Sequence, residues 1–486
     1  MDSLLKDKAE ENTENDHYEN IAFIQPQHAR DRRHNQQELA PLLVQSSRNS
    51  STEFLVQDEE GDLEEEELVS PPIVSEKHRR FTQCCSGARY YRKKTCLVAC
   101  LLATLLPIIA FVIFSAIYFS PVSLPSIPET SQLLSAATSI RLLTLNIFMR
   151  PPGIKNNKSD YKNDRLEYII QHILPSYDIV TIQEAFAFAN RRIDHLLAAA
   201  FDQGFYYHVS SPRHYPWELA GDGGLLILSR FPIKKSNRIE FSRGVHSDWL
   251  SYKGALHALI ELNSTYIHVY TTHTQASYDN GGELNLDDTK VRLSQFADVH
   301  EFIADTAKDD THPILLMGDL NVDAAVHNGS PIDTPSYSSS LPYTMMMDIQ
   351  YASTWRLDNL TDMAYKTFGY HPVTFGDYHR LENGTLVPAE TTLTSHNQLL
   401  TVQSIDRILW TGNRGHTNMS LGNVTVEPFF VNKSLSLPFT QISGKLYIYI
   451  YIYIYTSYPH ISFLFDRSLW FECYSLPIII KIYLLS

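Results

Sequence analysis

The chain has 486 residues, 44% of them hydrophobic and 12% aromatic, and a formal net charge of −14. That length holds one large domain of about 250–300 residues plus further segments. The acidic balance disfavours a nonspecific nucleic-acid binder, because phosphate backbones recruit basic faces, but residues 58–67 (DEEGDLEEEE) hold much of the excess and leave the active-site face undecided.

Residues 1–94 are polar, without sustained apolar periodicity, and read as a disordered cytosolic tail that cannot offset its ordering entropy. Glu38–Leu43 (ELAPLL) fits an acidic-dileucine sorting pattern or a chance match. Residues 95–119 carry no charge and are long enough to cross about 30 Å of hydrocarbon as a helix. Lys77, Arg79, Arg80, Arg89, Arg92, Lys93 and Lys94 precede this span, and residues 120–140 hold no Lys or Arg. The positive-inside rule then predicts a single-pass type II protein, its larger part lumenal or extracellular, at the plasma membrane or in the vacuole or endomembranes. Cys84-Cys85 beside the span suits palmitoylation or ordinary exposed thiols. Asn157, Asn263, Asn328, Asn359, Asn383, Asn418, Asn423 and Asn432 head glycosylation sequons after the span, against Asn49 alone before it. No cysteine falls between Leu101 and Glu472, so no disulfide framework is expected there.

A short stalk is expected over 120–138. From Ile140 onward, strands are predicted at 141–145, 178–182, 224–228, 266–271, 314–317 and 405–410. Helices are predicted at 163–174, capped by Asn163 or Asp164, and at 287–303, with Leu293, Phe296, His300 and Ile303 on one face. Such alternation predicts an α/β sandwich or a doubly wound sheet. Polar residues stand where strands end: Asn146, Glu184, His273, Asp319 with Asn321, and Asp406 at the start of the last. Strand ends converge on the ligand cleft in α/β folds. Carboxylate and amide oxygens are hard ligands suited to Mg²⁺, and a histidine can donate to a phosphoryl oxygen as its charge grows.

The blocks LLTLN, TIQEAF, DGGLLILSRFPI, TTHTQA, MGDLN and SIDRILW resemble, in order, the signature blocks of the endonuclease/exonuclease/phosphatase superfamily. DGGLLILSRFPI, the Lys253-Gly254 pair, TTHTQA and the helix carrying Arg292 and Gln295 look most like its neutral-sphingomyelinase branch, over residues 140–443. The resemblance implies a deoxyribonuclease I-like four-layer α/β/β/α sandwich behind the membrane helix, with Mg²⁺ as cofactor and Mn²⁺ as a possible substitute. It makes Glu184, Asn146 and Asp319 the metal residues and His273 a phosphoryl hydrogen-bonding group. Asn321 would orient the nucleophilic water, and Asp406 a catalytic histidine near the domain's end. Lys253 stays open between a substrate-phosphate contact and a solvated loop. The implied reaction is phospholipase C-type cleavage of a membrane sphingolipid to ceramide and a phospho-headgroup, with no nucleic-acid partner. Alternatives are a nuclease, an inositol-phosphate phosphatase or a catalytically dead tethered binding protein. Tyr215-Pro216-Trp217, Asp248-Trp249-Leu250 and residues 341–347 suit either interfacial insertion or core.

The family's closing Ser-Asp-His is missing, since Ser443 is followed by Gly444-Lys445 and then by a Tyr-Ile repeat. Residues 444–486 therefore read as translated intron: a GTAAG donor gives Gly-Lys in frame, and a TA repeat gives Tyr-Ile. Without its base the enzyme is expected to lose about 10²–10⁴-fold in rate.

Overall fold

The computed structural model describes residues 85–128, 139–263, 265–277, 285–327, 331–351, 360–412, 414 and 419–454. The sorting motif, nearly all of the N-terminal tail, residues 129–138 and the sequons at Asn49, Asn328, Asn359 and Asn418 lie outside them.

Helix α1 (Cys85–Phe119) contains a stretch, Lys93–Phe119, that is the one helix among the described residues long and apolar enough to cross a membrane. Its apolar side chains from Leu97 to Ile117 are mostly exposed to solvent. At its end Phe119 is buried, edge-on to Phe188 and stacked on Tyr215. The expected stalk does not stand free over residues 120–128. Arg191 and Arg213 donate to the Ser120 carbonyl, and Val122 N donates to Asp194.

Two sheets follow. In the first, β13 (Met419–Leu421) and β14 (Thr425–Glu427) flank β15 (Tyr447–Ile454), followed by β1 (Ser139–Asn146), β2 (Ile179–Gln183), β4 (Leu226–Ser229) and β3 (Tyr207–Ser210). The second runs β5 (Ile233–Glu240), β6 (Gly254–Leu262), β7 (Thr265–His273), β8 (Ile314–Asp319), β12 (Asp406–Thr411) and β9 (Thr361–Asp362). A separate hairpin joins β10 (Tyr378–Arg380) to β11 (Leu386–Pro388). Helices α2 (Lys162–Tyr168) and α3 (Arg192–Asp202) cover the first sheet, and α4 (Leu286–Ala307) and α5 (Leu341–Tyr351) the second; α6 (Met363–Phe368) follows β9.

Strand periodicity builds the layers. Ile140 and Leu142 of β1 join Val269, Leu315, Met317 and Ile408 of the other sheet in a core between the sheets. The opposite face of β1, Leu143 and Leu145, packs with Leu166, Leu196 and Leu197. Tyr270 and Leu316 pack outward with Phe296, Val299 and Met346. These three cores separate four layers, as expected of the sandwich.

Two helix readings change. No Asn163 or Asp164 cap forms: α2 begins after Tyr161 in a left-handed conformation, and by Ile169 it has widened into a π-turn. Helix α4 extends beyond 287–303 and is capped by Asn285, whose Oδ1 accepts from Asp287 N and Asp288 N.

The larger correction concerns the boundary at Ser443. Residues 447–454 form β15, antiparallel to β1 from Ser139↔Tyr453 to Thr144↔Ile448. A strand with two apolar faces is an aggregation hazard at a solvent edge. Beside β1 it has somewhere to put both. Ile448, Ile450 and Ile452 are fully buried between the sheets, and Tyr447 stacks on Phe429 in the outer core, with Tyr449 against Tyr177. The fold therefore runs at least to Ile454; residues beyond it lie outside the description.

Candidate active site

The periodicity that fills the inter-sheet core also delivers the polar residues. Counting by two from Ile140 and Leu142 reaches Thr144 and Asn146; from Ile267 and Val269 it reaches Thr271 and His273; from Leu315 and Met317 it reaches Asp319. Asp406 shares a face with Ile408 and opposes Asp319 in the β8–β12 ladder. Each strand thus runs apolar between the sheets until its cleft end and then turns polar. The floor of the cleft is one hydrogen-bonded unit: Gln183 Nε2 donates to Thr144 Oγ1 at 3.1 Å and to Thr271 Oγ1 at 3.0 Å, joining the two sheets.

Above this floor, Asn146 Nδ2 donates to Glu184 Oε1 at 2.8 Å and to Asp319 Oδ2 at 2.9 Å. Glu184 enters from the residue after β2, where φ is +55°, a left-handed conformation that L-residues adopt at a cost. Asn321 also has positive φ; its Nδ2 donates to Thr274 O at 2.9 Å and its N–H to Asp319 Oδ1 at 3.2 Å. Gly318 is required because a Cβ there would lie 2.3 Å from the Thr272 carbonyl oxygen. Ligand atoms of Glu184, His273 and Asp319 lie within 4.8 Å of one another. Two carboxylates and an imidazole offer ligand atoms that fit a divalent ion, beside an Asn146 amide whose Nδ2 faces the carboxylates and whose Oδ1 accepts from Phe148 N at 3.0 Å.

His273 is buried with Nε2 3.7 Å from Asp319 Oδ2 and 3.3 Å from Lys253 Nζ. Burial, then Lys253 and Lys445, hold its pKa well below the usual range, so the ring is neutral. Lys253 is not a solvated loop residue. It is buried, paired with Asp248 at 2.7 Å, and donates to Thr274 O at 2.7 Å. The helix residues singled out in sequence brace the same loop: Gln275 N donates to Gln295 Oε1 at 2.7 Å. Asp406 N donates to Thr374 Oγ1 at 2.9 Å, and burial raises its carboxyl to about 8. Its Oδ2 is buried without a hydrogen-bond partner among the described residues.

All seven candidate residues therefore meet around one cleft. Three contributors escaped the sequence reading. Lys445 is buried, and its Nζ is ion-paired with Asp319 Oδ2; burial outweighs the attraction of Glu184 and lowers its pKa to about 7. The signal was its position, two residues after Ser443, where the resembled family has its histidine. Asp248 had been noted only as part of an apolar stretch. Arg165, fully buried, donates to the carbonyls of Asp160, Ile147, Phe148 and Ile442, tying the loop after β1 to the segment that leads to Lys445. Nothing in the sequence flags an arginine whose partners are backbone.

Residues 143–425 match the model of the Endonuclease/Exonuclease/phosphatase family. The chain belongs to that family. A sphingomyelinase of Dictyostelium discoideum is 28% identical over 380 residues, 67% of this chain and 82% of its own length. A phospholipase C of Staphylococcus aureus is 30% identical over 234 residues, 45% of this chain and 66% of its own. The solved sphingomyelinase C of Streptomyces griseocarneus aligns with a TM-score of 0.43 and 20% identity, over 65% of this chain and 99% of that one.

Proposed function

We propose that the chain is a divalent-metal phosphodiesterase of the sphingomyelinase type, cleaving a sphingolipid headgroup to ceramide and a phospho-headgroup. One observation carries the reading: the inter-sheet faces of β1, β7, β8 and β12 each end in a polar residue at the same cleft, which Glu184 also enters. The relatives' names supply the substrate class.

In this reading Glu184 and Asp319, held apart by the Asn146 amide, bind Mg²⁺ or Mn²⁺. The ion when bound supplies positive charge for the phosphate and lowers the pKa of water. Asn321, held by the Thr274 carbonyl and the Asp319 carboxylate, positions the nucleophile. His273, kept neutral, hydrogen-bonds a phosphoryl oxygen, and Lys253, occupied by Asp248, positions His273 rather than the substrate. The unpartnered Asp406 Oδ2 is suited to orient a base that Lys445 does not supply, so we infer slow turnover for the polypeptide as it stands. Helix α1 serves as the anchor, with the catalytic domain lumenal or extracellular, beside a lipid substrate.

Residues 444–486 remain best read as translated intron, with another segment filling the place beside β1 in the intact product. A mature transcript that encodes the Tyr-Ile repeat would refute this; one that continues from Ser443 into Asp-His would support it.

The substrate class is tested with a Lys445→His variant offered sphingomyelin, glycerophospholipids, an inositol phosphate and DNA. Release of phosphocholine from sphingomyelin alone is expected. Cleavage of DNA or of the inositol phosphate in preference to lipid would contradict the proposal.

A further inference from the structure

Lys445 does more than stand where a histidine is expected, because it brings a positive charge into the acidic cluster. The oxygen it meets, Asp319 Oδ2, also accepts from Asn146 at 2.9 Å and faces His273 at 3.7 Å. The lysine is fixed at both ends rather than swinging in from the surface. Leu446 N donates to Thr374 O at 2.7 Å, and Lys445 N donates to Ser443 Oγ at 3.2 Å. The Ser443 hydroxyl in turn donates to Asn146 O at 2.9 Å. Arg165 holds Ile442 O at 2.8 Å.

We propose that Lys445 is a tethered counter-cation: its ammonium takes the place of the divalent ion between Asp319 and Glu184, so this polypeptide keeps its fold without metal and binds metal weakly. The inference rests on reading Glu184 and Asp319 as metal ligands. The buried Asp319 carboxylate, with half-buried Glu184 close beside it, requires a positive partner, and an ammonium supplies one charge with three N–H donors. A divalent ion at Asp319 has to displace that ammonium or bind against its repulsion at short range.

The test is Mn²⁺ binding by titration calorimetry, with melting curves in parallel, on the full chain in detergent. The variants are Lys445→Met, Lys445→Arg and Glu184→Gln/Lys445→Met. Removing an ammonium from Coulomb range of a divalent ion is expected to tighten binding at least about tenfold in Lys445→Met. Its Tm should rise with Mn²⁺, whereas wild type and Lys445→Arg should not respond. Recovery of folded Lys445→Met only when Mn²⁺ is present would equally support the proposal, since the metal then replaces the ammonium. Equal Mn²⁺ affinity in wild type and Lys445→Met overturns it. Tight binding that survives in Glu184→Gln/Lys445→Met overturns the ligand assignment instead.

Discussion

His273 and Asp319 are register partners in the parallel β7–β8 pair, and their side chains emerge on one face with Nε2 and Oδ2 3.7 Å apart. The pair is held in buried backbone, β7 being buried from Ile267 to His273 and β8 throughout. A hydrogen-bonding group placed this way acts mainly on charge that develops in the transition state. In a Lys445→His background, His273→Ala is expected to lower kcat about 10²–10³-fold, the usual effect of removing one such donor, with little change in KM or Mg²⁺ affinity. Measuring Tm and kcat on one preparation checks this. A destabilised but fully active variant removes His273 from the chemistry.

Strand β15 should be indispensable to this polypeptide. Ile450 is fully buried and is the register partner of Leu142. Ile450→Ala is expected to cost about 2–5 kcal/mol in chemical denaturation, and a chain ending at Ser443 should be recovered unfolded or aggregated. A soluble, cooperatively melting truncation would show that the strand is dispensable.

A second buried network makes stability sensitive to acid. His257 Nε2 lies 2.8 Å from His268 Nδ1, and His268 Nε2 lies 2.9 Å from Asp310. Burial, then His268, depress His257 from 6.5 to about 3. In the window between those values the unfolded chain binds a proton that the folded chain refuses. The contribution of neutral His257 is therefore complete above about pH 6.5 and is lost as the pH drops toward 3. Denaturation midpoints measured from pH 7 to 4 should show this slope, and His257→Gln should flatten it. An unchanged slope would assign acid sensitivity elsewhere.

Glycosylation tests the topology. Asn383, Asn423 and Asn432 are exposed, whereas Asn157 donates its Nδ2 to the carbonyls of Thr391, Thr392 and Thr394. Endoglycosidase should shift the gel mobility of the full chain expressed in cells, and peptide mapping should find glycan at the exposed sites but not at Asn157. No shift would count against a lumenal or extracellular domain.

The sequence made the strands and cleft residues readable because both follow from period-two patterning that changes from apolar to polar at a strand end. Asn146, Glu184, His273, Asp319 and Asp406 were legible on that ground. Lys253 was not, because a lysine's environment depends on how the turn carrying Asp248 folds back within the β5–β6 connection and on the Thr274 carbonyl just past the end of β7. The place of the Tyr-Ile repeat beside β1 was not legible, because alternation without a polar face looks unfoldable until both sides of its slot are known. The cap of α2 was misplaced because Asn163 and Asp164 suit a cap locally, while buried Arg165 fixes the helix start from backbone carbonyls distant in sequence.

The claim that this cleft is a metal-dependent phosphodiesterase site is tested most directly by Glu184→Gln. Phosphocholine release from sphingomyelin vesicles is measured for Lys445→His and for Glu184→Gln/Lys445→His, each stripped with chelator and then given Mg²⁺. The account predicts that Mg²⁺ restores turnover to the first and not to the second, with both melting cooperatively. Mg²⁺-restored turnover that persists without the Glu184 carboxylate would contradict it.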